Sequence, residues 1–294
     1  METLENVGAE RPLPILKWAG GKGQLLDTLE HNFPSAFATY FEPFFGGGAV
    51  FFRLAWRRRI TKAVLSDLNK DLINCYVAVR DHTDQLLTQL EKLQHHARDK
   101  QFYYQAARKR FNEIQLQTGL EGDVEKASLL LYLNKTCYNG LYRVNQKGGF
   151  NVPWGRYKNP RIYHEKNLRA VQRALDRPGV QISCEDYSDA IGDARTGDFI
   201  YFDPPYEPTS RTASFTAYTA KSFAWDDQVK LARKFLDLHT LGSYVMLSNS
   251  PKVRKLYENR DFRINRIKAI RAISCVGNRR GPIEELLVTN YLRK

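Results

Sequence analysis

Four times along the chain a short apolar run gives way to glycine, acidic or other polar residues. Thr39–Phe45 precedes Gly46-Gly47-Gly48, and Ala63–Ser66 precedes Asp67. Asp198–Phe202 precedes Asp203-Pro204-Pro205-Tyr206, and Ser243–Leu247 precedes Ser248-Asn249. Short apolar runs closed by turn residues read as buried strands. Helical patterns over Leu68–Arg80, Asp84–Gln117 and Asp123–Thr136 lie between them. Strands alternating with helices predict an α/β sheet, in which ligands sit outside the carboxyl ends of the strands. Four loops are therefore expected to meet on one rim.

With 294 residues, 43% of them hydrophobic, the chain can bury a large core as one domain or two. Its net charge of +13 suits an anionic partner, either nucleic acid or an acidic small substrate. The charge is clustered. Between Tyr138 and Arg177 nine Lys or Arg face two acids, and between Lys252 and Arg280 ten face two. The segment Tyr138–Pro160 is rich in Gly, Asn, Pro, aromatic and basic residues and reads as a loop region. We expect a catalytic sheet domain from residues 1–70 and 166–294, with a mostly helical domain, 71–165, inserted between its strands. Residues 1–14 show no apolar targeting run, and no stretch approaches the roughly 18 apolar residues of a membrane span. The widely spaced Cys75, Cys137, Cys184 and Cys275 fit reduced core residues of a cytoplasmic protein better than a disulfide or metal framework, and no metal is expected.

Asp203-Pro204-Pro205-Tyr206 is the most specific motif. At average residue usage such a tetrad arises by chance in roughly one chain in a thousand of this length. A turn after a strand explains any one of the four residues but not the set. Methylation of an exocyclic amino group on a base uses them all. The lone pair of adenine N6 is delocalised into the ring. A carboxylate (Asp203) and a backbone carbonyl (Pro204), each accepting one N6 hydrogen, draw the nitrogen towards tetrahedral geometry. Pro204 and Pro205 offer only main-chain acceptors, and Tyr206 can stack on the base. A target inside a duplex must first be extruded.

The run Phe45-Gly46-Gly47-Gly48 lies where a strand turns into a helix, and Asp67 follows about twenty residues later at the next strand end. Such a pair fits a loop and ribose ligand for an adenosyl cofactor. Alone it also fits a dinucleotide site, although the third glycine of that fingerprint is missing. Asp67 reads equally well as a cap on the helix that follows. Lys17-Trp18-Ala19-Gly20-Gly21-Lys22 is not a Walker loop and admits reading as a turn with a core tryptophan.

Together these stretches resemble the Dam-type DNA adenine-N6 methyltransferases. The resemblance runs from about Leu16 to Tyr291: LKWAGGK (16–22), EPFFGGGAVF (42–51), SDLNKDLI (66–73), the YNGLYRVN region (131–158), DPPY (203–206), FTAYTAKSF (215–223), LSN (247–249) and EELL (284–287). It implies a Rossmann-like methyltransferase sheet, S-adenosyl-L-methionine as methyl donor and double-stranded DNA as substrate, with no obligate protein partner and no membrane. Trp18, Lys22, Phe45, Gly46, Gly48, Asp67 and Asp203 are implied cofactor contacts. Tyr138 and Asn139 would wedge beside the extruded base. Leu141 and Arg143 would read the outer bases of a GATC site, with Lys17 on the first guanine. Pro153, Arg156, Tyr157 and Lys158 would add base and phosphate contacts. The basic Arg279-Arg280 pair reads either as a DNA-backbone contact or as a solvated loop. Val144, Gly149 and Trp154 depart from the best-known members.

Four other readings compete. They are an adenine methyltransferase of a restriction–modification pair with another site, an RNA or free-nucleotide methyltransferase, a DNA-binding protein with an inactive methyltransferase fold, and a nicotinamide dehydrogenase. The basic recognition stretch weighs against the second, the intact tetrad against the third, and its lack of a role in hydride transfer against the last.

Overall fold

The computed structural model describes residues 10–116, 122–206, 223–258, 261–270 and 282–292. Among them, seven strands form one sheet: β1 Thr39–Glu42, β2 Lys62–Ser66, β3 Val180–Ser183, β4 Phe199–Phe202, β5 Tyr244–Asn249, β6 Arg263–Ile270 and β7 Pro282–Thr289. Their order is β3-β2-β1-β4-β5-β7-β6. The first five are parallel, and β7 is antiparallel to both neighbours. The strand order reverses between β1 and β4, which makes the crevice above them the switch point where ligands bind. The glycine run, Asp67, DPPY and Ser248-Asn249 all lie at this carboxyl rim, as the four sequence runs predict.

The helices are α1 Leu26–Glu30, α2 Ala49–Trp56, α3 Lys70–Asp81, α4 Thr83–Gln94, α5 Lys100–Phe102, α6 Arg108–Glu113, α7 Val124–Thr136, α8 Glu165–Leu175, α9 Tyr187–Ala190 and α10 Trp225–Leu241. All of α3 to α8 lie between β2 and β3 in the chain. The period-two alternation of strands divides the core. Ile200 and Phe202 of β4 join Phe41, Val245, Leu247, Leu231 and Phe235 on the α10 side. Phe199 and Tyr201 face the other way, into a cluster with Tyr40, Leu65, Phe51 and Tyr76. That second cluster continues through α4 and α7 to Tyr142, Phe150 and Val152. No helix among the described residues is long and apolar enough to cross a membrane.

Several elements depart from expectation. The first strand stops at Glu42 rather than Phe45, because Pro43 has no N–H for the ladder. The helix expected from Leu68 begins at Lys70, where the Asn69 side chain accepts from the Leu72 amide (3.0 Å). The helix expected over 84–117 breaks after Gln94 and restarts at Lys100, where Asp99 caps the new turn (2.9 Å). A π turn at Tyr103–Ala107 then interrupts it. The turn has a local use. Tyr103 donates to the Val152 carbonyl (2.7 Å), and the adjacent Tyr104 hydroxyl accepts from the Trp154 amide (3.1 Å). Strands β3, β6 and β7 carry no signal of this kind in the sequence. β3 is half-exposed at one sheet edge, and β6, at the other, carries exposed Arg263, Arg266 and Lys268, which guard an unpaired edge.

Asparagine side chains splice the irregular segments to the helices. Asn134 of α7 accepts from the Lys17 amide (2.8 Å) and donates to the Lys17 and Gly140 carbonyls (2.9 and 3.0 Å). Asn112 binds the amide and carbonyl of Phe150 in the same way (2.8 and 3.1 Å). Both serve as one-residue substitutes for a β ladder, keeping buried main-chain groups paired.

Candidate active site

The glycine run closes tightly against its surroundings. Gly46 and Gly48 have φ of +48° and +67°, a region that side chains other than glycine's rarely adopt. A Cβ on Gly48 would lie 2.6 Å from the Phe45 ring, and one on Gly46 would lie 3.0 Å from the Trp18 indole. Gly48 stands at the N-cap of α2 without a side chain to cap it. Glu42, from the end of β1, does so instead, accepting from the Phe51 amide (3.0 Å) and the Tyr40 hydroxyl (2.8 Å). Burial pushes the Glu42 carboxyl up to about 8, against the pull of those hydrogen bonds.

Asp67 ties this loop to the next strand. Its two oxygens accept from the Gly46 amide (3.0 Å) and the Asn69 amide (2.9 Å). Asn69, not Asp67, caps the helix, so the capping explanation of Asp67 fails. Burial raises the Asp67 carboxyl above its ordinary range, and the two amides oppose that rise. The Tyr76 hydroxyl donates to the Gly46 carbonyl (3.2 Å). A glycine cradle in which a Cβ on Gly48 would clash, beside a half-buried carboxylate at the adjoining strand end, fits the adenosyl and methionine parts of S-adenosylmethionine.

Facing the cradle is the DPPY tetrad. Asp203 leaves the end of β4 with its side chain 18% exposed, and its Oδ1 lies 2.6 Å from the Nζ of Lys22, which is 3% exposed. Lys22 also donates to the Gly20 carbonyl (2.8 Å) and lies 3.8 Å from Glu285 Oε2. Its ammonium stands 5.2 Å from the centre of the Tyr206 ring, whose hydroxyl donates to Glu285 Oε2 (2.8 Å). The Pro205 carbonyl accepts from Gln228 (3.1 Å), itself held by Asn249 (2.9 Å). Burial lifts the Asp203 carboxyl to about 6. Lys22 works against that rise, and Glu285 adds to it. A poised carboxylate thus stands at the switch point, next to the cofactor cradle.

Lys22 was expected among cofactor contacts, and the structure places it on Asp203. Trp18 packs at the edge of the cradle and tilts against Tyr142 (5.3 Å between rings). Glu42, Tyr76, Gln228 and Glu285 were not singled out from the sequence, and Asn249 was read there only as the polar end of the fourth apolar run. Glu42, Asn249 and Glu285 fall inside family-like stretches, whereas Tyr76 and Gln228 carry no sequence signal.

The recognition segment gathers at one side of the rim. Tyr138 and Asn139 sit on a single 3-10 turn, with Asn139 at φ +56°. The Tyr138 amide donates to the Pro153 carbonyl (2.7 Å), and the Gly155 amide donates to the Thr136 carbonyl (2.8 Å). Lys17 lies over the Tyr157 ring (5.2 Å). Lys17, Tyr138, Pro153, Arg156 and Lys158 are exposed, and Leu141 is buried. Arg143 donates through Nε to the Asn151 side chain (2.7 Å) and through Nη2 to its carbonyl (3.2 Å). Residues 215–222 of FTAYTAKSF and the Arg279-Arg280 pair lie outside the described residues.

Comparison with known proteins gives the family of the chain. Residues 18–273 match the model of the D12 class N6 adenine-specific DNA methyltransferases. The chain is 44% identical over 295 residues to the type II methyltransferase M.MjaIII of Methanocaldococcus jannaschii, covering 95% of this chain and 99% of that protein. It is 42% identical to the type II methyltransferase M1.LlaDCHI of Lactococcus lactis subsp. cremoris, covering 95% of each. It is 36% identical to the DNA adenine methylase of Escherichia coli K12, covering 93% of each. A glycine cradle, an acidic strand end and a DPPY carboxylate stand together on one sheet rim, in a chain that matches along nearly its full length. By both lines of evidence, this chain belongs to the D12 class of N6 adenine-specific DNA methyltransferases and uses S-adenosyl-L-methionine.

Proposed function

We propose that the chain methylates adenine at one specific duplex site, as the modifying partner of a restriction–modification pair. Support for that role comes from the relatives named type II methyltransferases, which match at 44% and 42% identity against 36% for the DNA adenine methylase. The observation that carries the chemistry is the Asp203 carboxylate, fixed by Lys22 through one oxygen. Its other oxygen can accept one N6 hydrogen and the Pro204 carbonyl the second. The Tyr206 ring, held by Glu285, supplies a face for the extruded base. Trp18, Phe45, Gly46, Gly48 and Asp67 would hold S-adenosylmethionine, whose sulfonium would supply the methyl group with the neutral thioether as leaving group. Rate then comes from positioning and charge placement, with no covalent intermediate on the protein.

In this reading residues 71–165 form the recognition part and residues 1–70 with 166–294 the catalytic part. Lys17, Tyr138, Asn139, Pro153, Arg156, Tyr157 and Lys158 meet the DNA. Asn151 aims the Arg143 guanidinium and leaves its Nη1 hydrogens available to a guanine edge. Leu141 is 9% exposed and would act on the DNA only by supporting this surface.

The test is to map methylated adenines on unmodified plasmid DNA after incubation with pure protein and S-adenosylmethionine. Methylation confined to one short motif is expected, with GATC the first candidate because of the Tyr138–Lys158 segment. A different single motif would keep the chemistry and overturn the GATC assignment. Methylation scattered over adenines of every context would overturn site recognition. In the same assay Arg143→Ala is expected to weaken discrimination at one guanine by about 1–3 kcal/mol, and an unchanged preference would reject that role.

A further inference from the structure

We infer that Glu285 is a positioning residue of methyl transfer: from β7 it orients the Tyr206 ring and shares the Lys22 charge, leaving Asp203 a strong acceptor for the base. The inference rests on the reading of Asp203 as the carboxylate that receives the base.

Two neighbouring glutamates on β7 show how unusual this residue is. Glu284 is exposed and forms an ordinary surface pair with Arg266 (3.2 Å). The pleat turns Glu285 to the opposite face, where it is 6% exposed on a strand lying between β5 and β6. Leu286, Leu287 and Val288, which follow it, are fully buried apolar residues. A carboxylate in such a place must recover its desolvation cost through specific partners. Among the described residues Glu285 has two, and both belong to the site. Its Oε2 accepts from the Tyr206 hydroxyl (2.8 Å) and lies 3.8 Å from Lys22 Nζ.

The Tyr206 ring thereby has its far end tied to a sheet strand, so its face keeps one orientation. The charge balance changes as well. Lys22, Asp203 and Glu285 together carry one net negative charge, whereas Lys22 and Asp203 alone would be neutral. Methyl transfer starts from a sulfonium and passes its positive charge to the base nitrogen, as the S–C bond breaks and the N–C bond forms. The nitrogen then releases a proton to solvent. Lys22, Asp203 and Glu285 lie on the side of the site that receives the base, so a net charge of −1 there stabilises the positive charge increasingly as it moves from sulfur to the base nitrogen, and the transition state more than the ground state. The neighbouring negative charge also accounts for part of the raised proton affinity of Asp203.

Glu285→Gln separates the two roles, because its amide oxygen can still accept from Tyr206 while the charge is gone. The measurement is single-turnover methylation of a duplex carrying the mapped site, with full-length protein and saturating S-adenosylmethionine, across pH. The expected result is a rate about tenfold lower on the alkaline plateau. Dissociation constants for cofactor and duplex should stay within about twofold, and the acid limb should move to lower pH. An unchanged plateau rate with the acid limb in place would overturn the inference. If Glu285→Gln does not fold, Tyr206→Phe serves: it removes only the hydroxyl and should lower the rate without moving the acid limb, and an unchanged rate would overturn the positioning role. Asp203→Ala, run in parallel, tells the two levels apart. A wild-type-like Glu285→Gln beside an inactive Asp203→Ala refutes Glu285 alone, whereas an active Asp203→Ala refutes the reading beneath it.

Discussion

Replacing Asp203 by alanine is expected to slow single-turnover methyl transfer by on the order of 10³-fold or more. Thermal melting should change little. The loss is large because the N6 lone pair becomes available only when both amino hydrogens are held, and no other described carboxylate can take the place of Asp203. Glu285 is engaged by Tyr206, Glu42 by Tyr40 and the Phe51 amide, and Asp67 by two amides. The fold survives because Lys22 keeps the Gly20 carbonyl at 2.8 Å and Glu285 at 3.8 Å, so its buried cation is not abandoned. Rate and melting temperature measured on the same preparation check both halves. Residual activity within about tenfold of wild type would remove Asp203 from the mechanism.

Lys22→Met is expected to damage the same site in a pH-dependent way. Lys22 lowers the proton affinity of Asp203 both through its charge and through its hydrogen bond, while burial and Glu285 raise it, for a balance of about 6. Without the lysine the carboxyl titrates higher. A protonated carboxyl can offer a hydrogen where the base needs an acceptor, so the acid limb of the rate profile should climb from near 6 towards neutrality. At a pH below both the original and the displaced limb, the rate falls about tenfold for every pH unit by which the limb has moved. The variant should therefore lose far more activity in mildly acidic buffer than in alkaline buffer, the opposite displacement to that of Glu285→Gln. A uniform loss at every pH would show that Lys22 acts elsewhere, for instance on the cofactor as the family resemblance implies.

The strand ends were legible because apolar runs closed by turn residues depend only on local chemistry. The glycine cradle and Asp67 followed from the same rule, and the tetrad from its rarity and its fit to an amino group. Neighbours in space but not in sequence stayed hidden. β6 and β7 carry charges that look like solvent-facing loop chemistry until the sheet decides which face each residue takes. Glu284 and Glu285 are indistinguishable in the sequence, and only the pleat of β7 sends one to Arg266 and the other to Tyr206. In the sequence Asp67 reads equally as a helix cap or a ligand; in the structure Asp67 accepts from the Gly46 amide and Asn69 takes the cap. A sheet rim able to hold an adenosyl cofactor and a base was therefore written into the linear chain, because strand periodicity and backbone freedom are local properties. That Lys22, Asp203 and Glu285 form one charge cluster was not, because proton affinity depends on burial and on charges brought from positions 181 and 263 residues away from Lys22 in the chain.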